Sequence, residues 1–96
     1  MSESVIHHTH GEIKGRFYIG ESTKHAAEMT YSIASDTLII IDHTEVSDDH
    51  RGEGLGRKLV DFAVDWAREK GIKILPLCPF AKAQFDKDES IRDVLK

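Results

Sequence analysis

The sequence predicts an α/β fold in which an antiparallel meander precedes a βαβ unit. Residues 16–46 alternate between apolar and polar side chains or run through β-branched ones, as strands do. From Leu55 onward the apolar residues recur at helical spacing, and a short apolar run over 72–77 follows. Because strand, helix and strand follow one another, the two flanking strands should lie parallel, with a right-handed crossover.

Three strands form the predicted meander. The first, "RFYIGE" (16–21), is aromatic and ends at a turn. The second covers 25–33 and shows a period of two, with its apolar side chains on one face. After the turn "ASDT", the third strand, "LIIIDHTEV" (38–46), is a β-branched run. Runs of this kind are typical of strands that are covered on both faces.

A long helix is predicted over 54–70, and Gly71 should end it in the usual left-handed position. Its apolar stripe includes Leu59, Phe62 and Trp66, which we expect in the core. The strand at 72–77 leads into a second helix at 79–88, which begins with proline. A final turn or short helix, "SIRDVL", follows.

Residues 1–15 are polar and have no apolar period, so they predict a flexible arm or a frayed first strand. A single domain is then expected at 16–96. The arm contains "HHTH", and His7, His8 and His10 could hold a metal ion. Histidines on a flexible segment more often bind nothing specific, and we predict no metal.

Composition narrows the function classes. The 96 residues carry a net charge of −4, so no basic surface points to nucleic acid or to an anionic membrane. No stretch approaches the ~20 apolar residues of a membrane span, and no apolar leader begins the chain. The single cysteine, Cys78, allows no internal disulfide and favours a reducing compartment. We therefore expect a cytoplasmic protein that is a monomer or a weak dimer.

The segment "HRGEGLGRKL" (50–59) joins the third strand to the long helix and carries three glycines. Glycines at such a position leave backbone N–H groups accessible, and with the positive end of the helix dipole they form an anion site. Arg51, Arg57 and Lys58 add positive charge, which favours phosphate over a merely tight turn. The P-loop ending and the dinucleotide glycine spacing are both absent from this segment.

The pattern Arg51-x-x-Gly54-x-Gly56 resembles the acetyl-CoA loop of the GNAT superfamily of N-acetyltransferases. With "LCPFAKAQF", the chain is similar to a subfamily of very small acetyltransferases within it. The resemblance implies a compact GNAT-like fold with two parallel strands that splay apart, and acetyl-CoA as cosubstrate. It implies that strand residues near Glu45 and Val46 pair with pantetheine. It assigns the cofactor contacts to the strand end and the loop: Val46, Arg51, Gly52, Glu53, Gly54, Leu55, Gly56, Arg57 and Lys58.

Three residues are candidates for the chemistry. Cys78 precedes Pro79 as a helix N-cap, where the dipole favours a thiolate that could accept an acetyl group; a simply buried thiol is the alternative. His43 and Glu45 share one face of their strand and could take a proton from an amine, His43 near its ordinary pKa and Glu45 only if its pKa is raised. His43 could equally be a hydrogen-bonded sheet residue that faces the helix.

One position departs from the family. Larger members carry Asn-x-x-Ala-x-x-x-Tyr where this chain has Cys78-x-x-Ala81-x-x-x-Phe85, so the common tyrosine acid is missing. The later strands that wall the substrate pocket are also expected to be missing. We therefore expect an N-acetyltransferase that acts on a small-molecule or protein amine, with Cys78 as a candidate carrier of the acetyl group. The alternatives are a non-catalytic CoA-binding module and a generic α/β domain that does not bind CoA.

Overall fold

A computed structural model describes residues 5–21 and 25–96 of the chain. Five strands form one sheet in the order β1-β2-β3-β4-β5, and β4 and β5 are its parallel pair. The strands are β1 (Ile6–His10), β2 (Lys14–Gly20), β3 (His25–Ser35), β4 (Leu38–Val46) and β5 (Lys73–Pro76). The helices are α1 (Leu55–Lys70) and α2 (Pro79–Lys87), with 3-10 segments at Asp48–His50 and Glu89–Val94. The predicted α/β class, antiparallel meander and βαβ unit are confirmed.

The first strand differs from the prediction of a flexible arm. Residues 6–10 pair with β2 in a regular antiparallel register, and residues 1–4 lie outside the described part of the chain. The strand packs on the core because the imidazole of His8 occupies a position where an apolar side chain would be expected. The His8 ring stacks on Phe17 with centroids 4.2 Å apart and meets Trp66 edge-on at 4.8 Å. A frayed first strand is the alternative that the sequence leaves open, and the structure has a regular strand there. A histidine does not count as apolar in a hydrophobic pattern, so the sequence alone could not favour the strand over the arm.

Helix α1 covers one face of the sheet; it begins at Leu55, one residue later than predicted, and ends at Lys70 as predicted. Gly71 ends it in the left-handed conformation at φ 69°, and its N–H bonds to the carbonyl of Ala67. Leu59 is fully buried and Trp66 packs partly buried against the core. Phe62 is the exception to the predicted stripe, because it is 37% exposed although its ring still contacts Phe17.

Strand β4 contains a β-bulge that the sequence did not reveal. Tyr31 of β3 pairs with Ile41, but the preceding Thr30 pairs with His43, so Asp42 is the extra residue. Before the bulge, Ile39 and Ile41 are the buried residues of β4. After it, the alternation is inverted: Thr44 and Val46 are partly buried, while His43 and Glu45 are exposed.

The prediction that this strand is covered on both faces is therefore wrong. Both helices pack on the face of the sheet that holds the buried residues. Leu38 and Ile40 point to the opposite face and stay partly exposed. β-branched residues occur here although only one face is buried.

The parallel pairing of β4 with β5 is short. It runs from Leu38 opposite Lys73 to Ile41 opposite Pro76. The N–H groups of Leu77 and Cys78 then both donate to the carbonyl of Ile41, at 3.1 and 3.2 Å. Beyond that point the chain turns into α2, whereas β4 continues to Val46. The final residues of β4 thus extend past the end of β5, as in a pair of strands that splay apart.

Candidate acetyl-CoA site

The loop between β4 and α1 depends on two glycines with left-handed backbone conformation. Gly52 has φ 86° and Gly54, the N-cap of α1, has φ 75°. A Cβ atom at either position would meet nothing within 4 Å. Glycine is therefore required by the left-handed backbone conformation and not by a lack of room for a side chain. The loop is therefore shaped by backbone geometry, and the surface above it stays open.

Gly56 serves a different purpose. A Cβ at this buried position would lie 2.7 Å from Cζ of Phe80, which belongs to the first turn of α2. The missing side chain lets the phenyl ring lie against the first turn of α1. Phe80 is 38% exposed and forms a wall of the site. This contact could not be predicted from sequence patterns, because the two residues lie on different helices.

A cavity of about 700 Å³ lies between the end of β4, the glycine loop, the start of α1 and α2. That volume is within the range of small-molecule and cofactor sites. Its lining residues come from the end of β4, the loop, the start of α1 and one side of α2: Thr44, Glu45, Val46, His50, Arg51, Gly52, Gly54, Leu55, Gly56, Arg57, Phe80, Gln84 and Lys87.

Most of the cofactor residues expected from the sequence line this cavity. Glu53 and Lys58 do not; the Glu53 carboxylate turns to His50, 3.2 Å from Nδ1. Of the catalytic candidates, Glu45 lines the cavity, whereas His43 and Cys78 do not. Sequence reasoning missed five of the lining residues: Thr44, His50, Phe80, Gln84 and Lys87.

The start of α1 is arranged to receive an anion. No side chain caps this helix end and no acidic residue lies in its first turn. The first intrahelical bond of this end runs from the N–H of Lys58 to the carbonyl of Gly54, at 3.2 Å. The N–H groups of the preceding helical residues have no acceptor in their own helix. Together with the helix dipole they favour a bound negative charge.

The two arginines of the loop are held by carboxylates. Arg51 donates to Asp48 at 2.7 Å, and Arg57 bonds to Asp61 at 2.9 Å and to Asp88. Hydrogen bonds from Ser90 and then from Arg57 lower the pKa of Asp88 to about 2. Arg57 thereby joins α1 to the end of α2. These carboxylates offset part of the positive charge that the two arginines bring to the loop.

His43 and Glu45 lie together, as their spacing predicts. His43 Nε2 is 3.5 Å from one oxygen of Glu45, and His25 Nε2 is 2.8 Å from the other. Hydrogen bonds from His25 and then from His43 lower the pKa of Glu45. The raised pKa that would make Glu45 a proton acceptor is therefore not found. His43 is 63% exposed at its side chain and does not face the helix, because the bulge at Asp42 turns it to the other face.

Cys78 is the N-cap of α2, as predicted, but its side chain is 4% exposed. The thiol donates to Oγ1 of Thr44 at 3.3 Å. Thr44 lines the cavity and Cys78 does not, so the Thr44 side chain separates the sulfur of Cys78 from the cavity. Phe85, at the position of the family's tyrosine, is 1% exposed and carries no acidic proton.

Comparison with known proteins agrees with this arrangement. Residues 16–94 match the family model of the GCN5-related N-acetyltransferases. A GCN5-like protein of Staphylococcus aureus, solved by NMR, is 42% identical and has a TM-score of 0.76; the match covers all of this chain and 91% of that one. A search of curated proteins found no match.

More distant solved structures share the fold. The ribosomal-protein-alanine N-acetyltransferase of Brucella melitensis is 18% identical, with a TM-score of 0.64 over 80% of this chain and 62% of its own. AAC(6')-Iy, in complex with the bisubstrate analogue CoA-S-monomethyl-acetylneamine, is 12% identical, with a TM-score of 0.53 over 84% of this chain and 62% of its own. Within the described residues, no helix is both long and apolar enough to cross a membrane.

Proposed function

Because the chain belongs to the GCN5-related N-acetyltransferase family, we propose that it transfers the acetyl group of acetyl-CoA to an amine at this cavity. One observation carries the proposal: the open start of α1, with its glycine loop, lies in the same cavity as the end of β4. The first feature suits a pyrophosphate, and the second suits an extended chain of amides. CoA contains both, joined in one molecule.

The loop binds the pyrophosphate through backbone N–H groups from Arg51 to Arg57. The pantetheine arm runs along β4 at Glu45 and Val46, where the strand extends beyond β5. Phe80 closes the side of the cavity and shields the arm from water. This direction brings the thioester towards Thr44 and the splayed ends of the parallel strands.

In the transfer step, the amine nitrogen attacks the thioester carbonyl carbon. The N–C bond forms, the C–S bond breaks, and CoA leaves as a thiolate. The amine must lose a proton, and His43 accepts it because a neutral imidazole is a base near pH 7. Glu45 orients His43 through their hydrogen bond and stays ionised. Water protonates the leaving thiolate, since Phe85 cannot.

We propose direct transfer from the thioester to the amine. The route through an acetylated Cys78 requires its sulfur to leave the hydrogen bond with Thr44 and to enter the cavity. Mass spectrometry of the protein after brief mixing with acetyl-CoA separates the two routes. Direct transfer predicts no acetyl group on Cys78 and an active Cys78→Ala variant. An acetyl-Cys78 that is consumed when amine is added would establish the covalent route.

Of the structural neighbours, one is a ribosomal-protein-alanine N-acetyltransferase, and another is bound to a bisubstrate analogue that contains an acetylneamine group. We therefore propose an amine acceptor without restriction to either small molecules or proteins. The test is acetylation of a panel of amines, followed by mass spectrometry. We expect His43→Gln to lower kcat about 100-fold or more, with acetyl-CoA binding unchanged. A protein that binds acetyl-CoA but acetylates no amine would instead be a CoA-binding module.

A further inference from the structure

One side of α2 forms a wall of the cavity. Phe80, Gln84 and Lys87 line the cavity, and their spacing of four and then three residues places them on one face of the helix. Phe80 lies against Gly56 in the first turn of α1. Gln84 and Lys87 follow towards the end of α2, so they are the polar groups that this helix presents to the cavity.

Gln84 has hydrogen-bond donors that the protein does not use. The residue is only 7% exposed, and its Oε1 atom accepts a hydrogen bond from Nη1 of Arg57 at 3.4 Å. An arginine can only donate, so this contact fixes which end of the amide is the oxygen. Within residues 5–21 and 25–96, the Nε2 atom of Gln84 has no acceptor. Because an unpaired amide is costly to bury, these N–H groups suit a ligand oxygen in the cavity.

Lys87 brings a positive charge to the same place. The arginines that line the cavity are paired with carboxylates, whereas Lys87 has no carboxylate partner in the part of the chain that the structure describes. The acidic residues on either side of Lys87 have other partners: Asp86 pairs with Lys82 at 3.2 Å, and Asp88 pairs with Arg57. An uncommitted ammonium beside an uncommitted amide is a set of donors that suits a phosphate group.

We propose that Gln84 and Lys87 bind the 3′-phosphate of CoA, and that the protein thereby distinguishes CoA from dephospho-CoA. The proposal rests on the proposed binding of acetyl-CoA in this cavity. There the glycine loop and the start of α1 receive the pyrophosphate, which the ribose carries on its 5′ carbon. The 3′-phosphate is attached to the same ribose, so it falls to a neighbouring element. Arg57 joins the two places, because it lies in the first turn of α1 and contacts Gln84.

The test is calorimetry with CoA and with dephospho-CoA, which differ only in the 3′-phosphate. We expect CoA to bind about tenfold more tightly, as a hydrogen bond to a charged group allows. Lys87→Gln should weaken the binding of CoA and change that of dephospho-CoA far less. Gln84→Met, which keeps the size of the side chain, should also lower the preference. Lys82→Gln is the matched control on the same helix; it lies outside the cavity lining and should keep the preference.

Equal affinities of the unmodified protein for CoA and dephospho-CoA would overturn the proposal. So would a Lys87→Gln variant that loses affinity for both ligands to the same extent, because Lys87 would then act on the pyrophosphate. The Tm of each variant without ligand separates a lost contact from a loss of folding. If neither ligand binds the unmodified protein, the acetyl-CoA assignment of the cavity fails. If both bind equally well, that assignment stands and only the role of α2 is wrong.

Discussion

At the scale of single residues, the least expected feature is the hydrogen bonding of Tyr31. Its side chain is fully buried, and burial raises the pKa of its hydroxyl to about 12. His8 Nε2 and His10 Nδ1 both contact that hydroxyl, at 2.5 and 2.8 Å. The hydroxyl donates to one ring and can accept from the other. These contacts join β1 to the core through polar atoms.

His8 should make the stability of the protein depend on pH. Burial, and to a smaller extent the nearby His10, lower the pKa of His8 from 6.5 to about 4. The unfolded chain therefore binds this proton more readily, and stability is lost as pH falls below 6.5. Because the ring is partly solvated, we expect a loss of only about 1 kcal/mol between pH 7.5 and 5.

Urea unfolding at pH 7.5 and at pH 5 measures this loss. The His8→Gln variant should lose less stability than the unmodified protein over the same interval. The exposed His7 provides the control, and His7→Gln should keep the full pH dependence. Identical pH dependence in the His8→Gln variant and the unmodified protein would contradict the explanation.

At the scale of elements, the glycines of the loop make separable predictions. Gly54→Ala places a side chain at a φ of 75° and should lower the free energy of unfolding by about 1 kcal/mol. Gly56→Ala lies inside the helix, where alanine is favoured, and the atom it meets is the far end of an exposed phenyl ring. Its stability should change by less than about 1 kcal/mol.

The effect of Gly56→Ala should instead fall on ligand binding, because the displaced ring of Phe80 enters the cavity. We expect weaker acetyl-CoA binding by calorimetry. The double variant Gly56→Ala/Phe80→Ala removes the displaced ring and should bind more tightly than Gly56→Ala alone. If Gly56→Ala binds acetyl-CoA as the unmodified protein does, then Phe80 does not wall the cofactor site.

The same elements show what the sequence could predict. Helix α1 and its end at Gly71 follow from apolar spacing and from a glycine, which are local signals. The inverted alternation after Asp42 cannot be predicted from local signals, because a β-bulge depends on how two strands pair. In the sequence, Asp42 resembles any other residue of a strand. Sequence reasoning therefore found that His43 and Glu45 lie together, but not which face they occupy.

At the scale of the whole molecule, the site follows from where the elements meet. A glycine loop at a helix start is recognisable in sequence, and it predicts an anion site at that place. The wall formed by Phe80, the pairing of Arg57 with Asp88, and the position of Cys78 behind Thr44 all join residues distant in the chain. Such contacts arise from packing, and no local pattern encodes them.

The central claim is that this cavity binds acetyl-CoA, and a thermal-shift titration with acetyl-CoA tests it most directly. A ligand at ~100 times its Kd adds about 2.7 kcal/mol to stability. Each 1 kcal/mol moves the Tm of a domain this small by roughly 4–8 °C. We predict a clear rise in Tm with acetyl-CoA and little change with ATP at the same concentration. An unchanged Tm at millimolar acetyl-CoA would mean that the loop is only a turn, and would contradict the account.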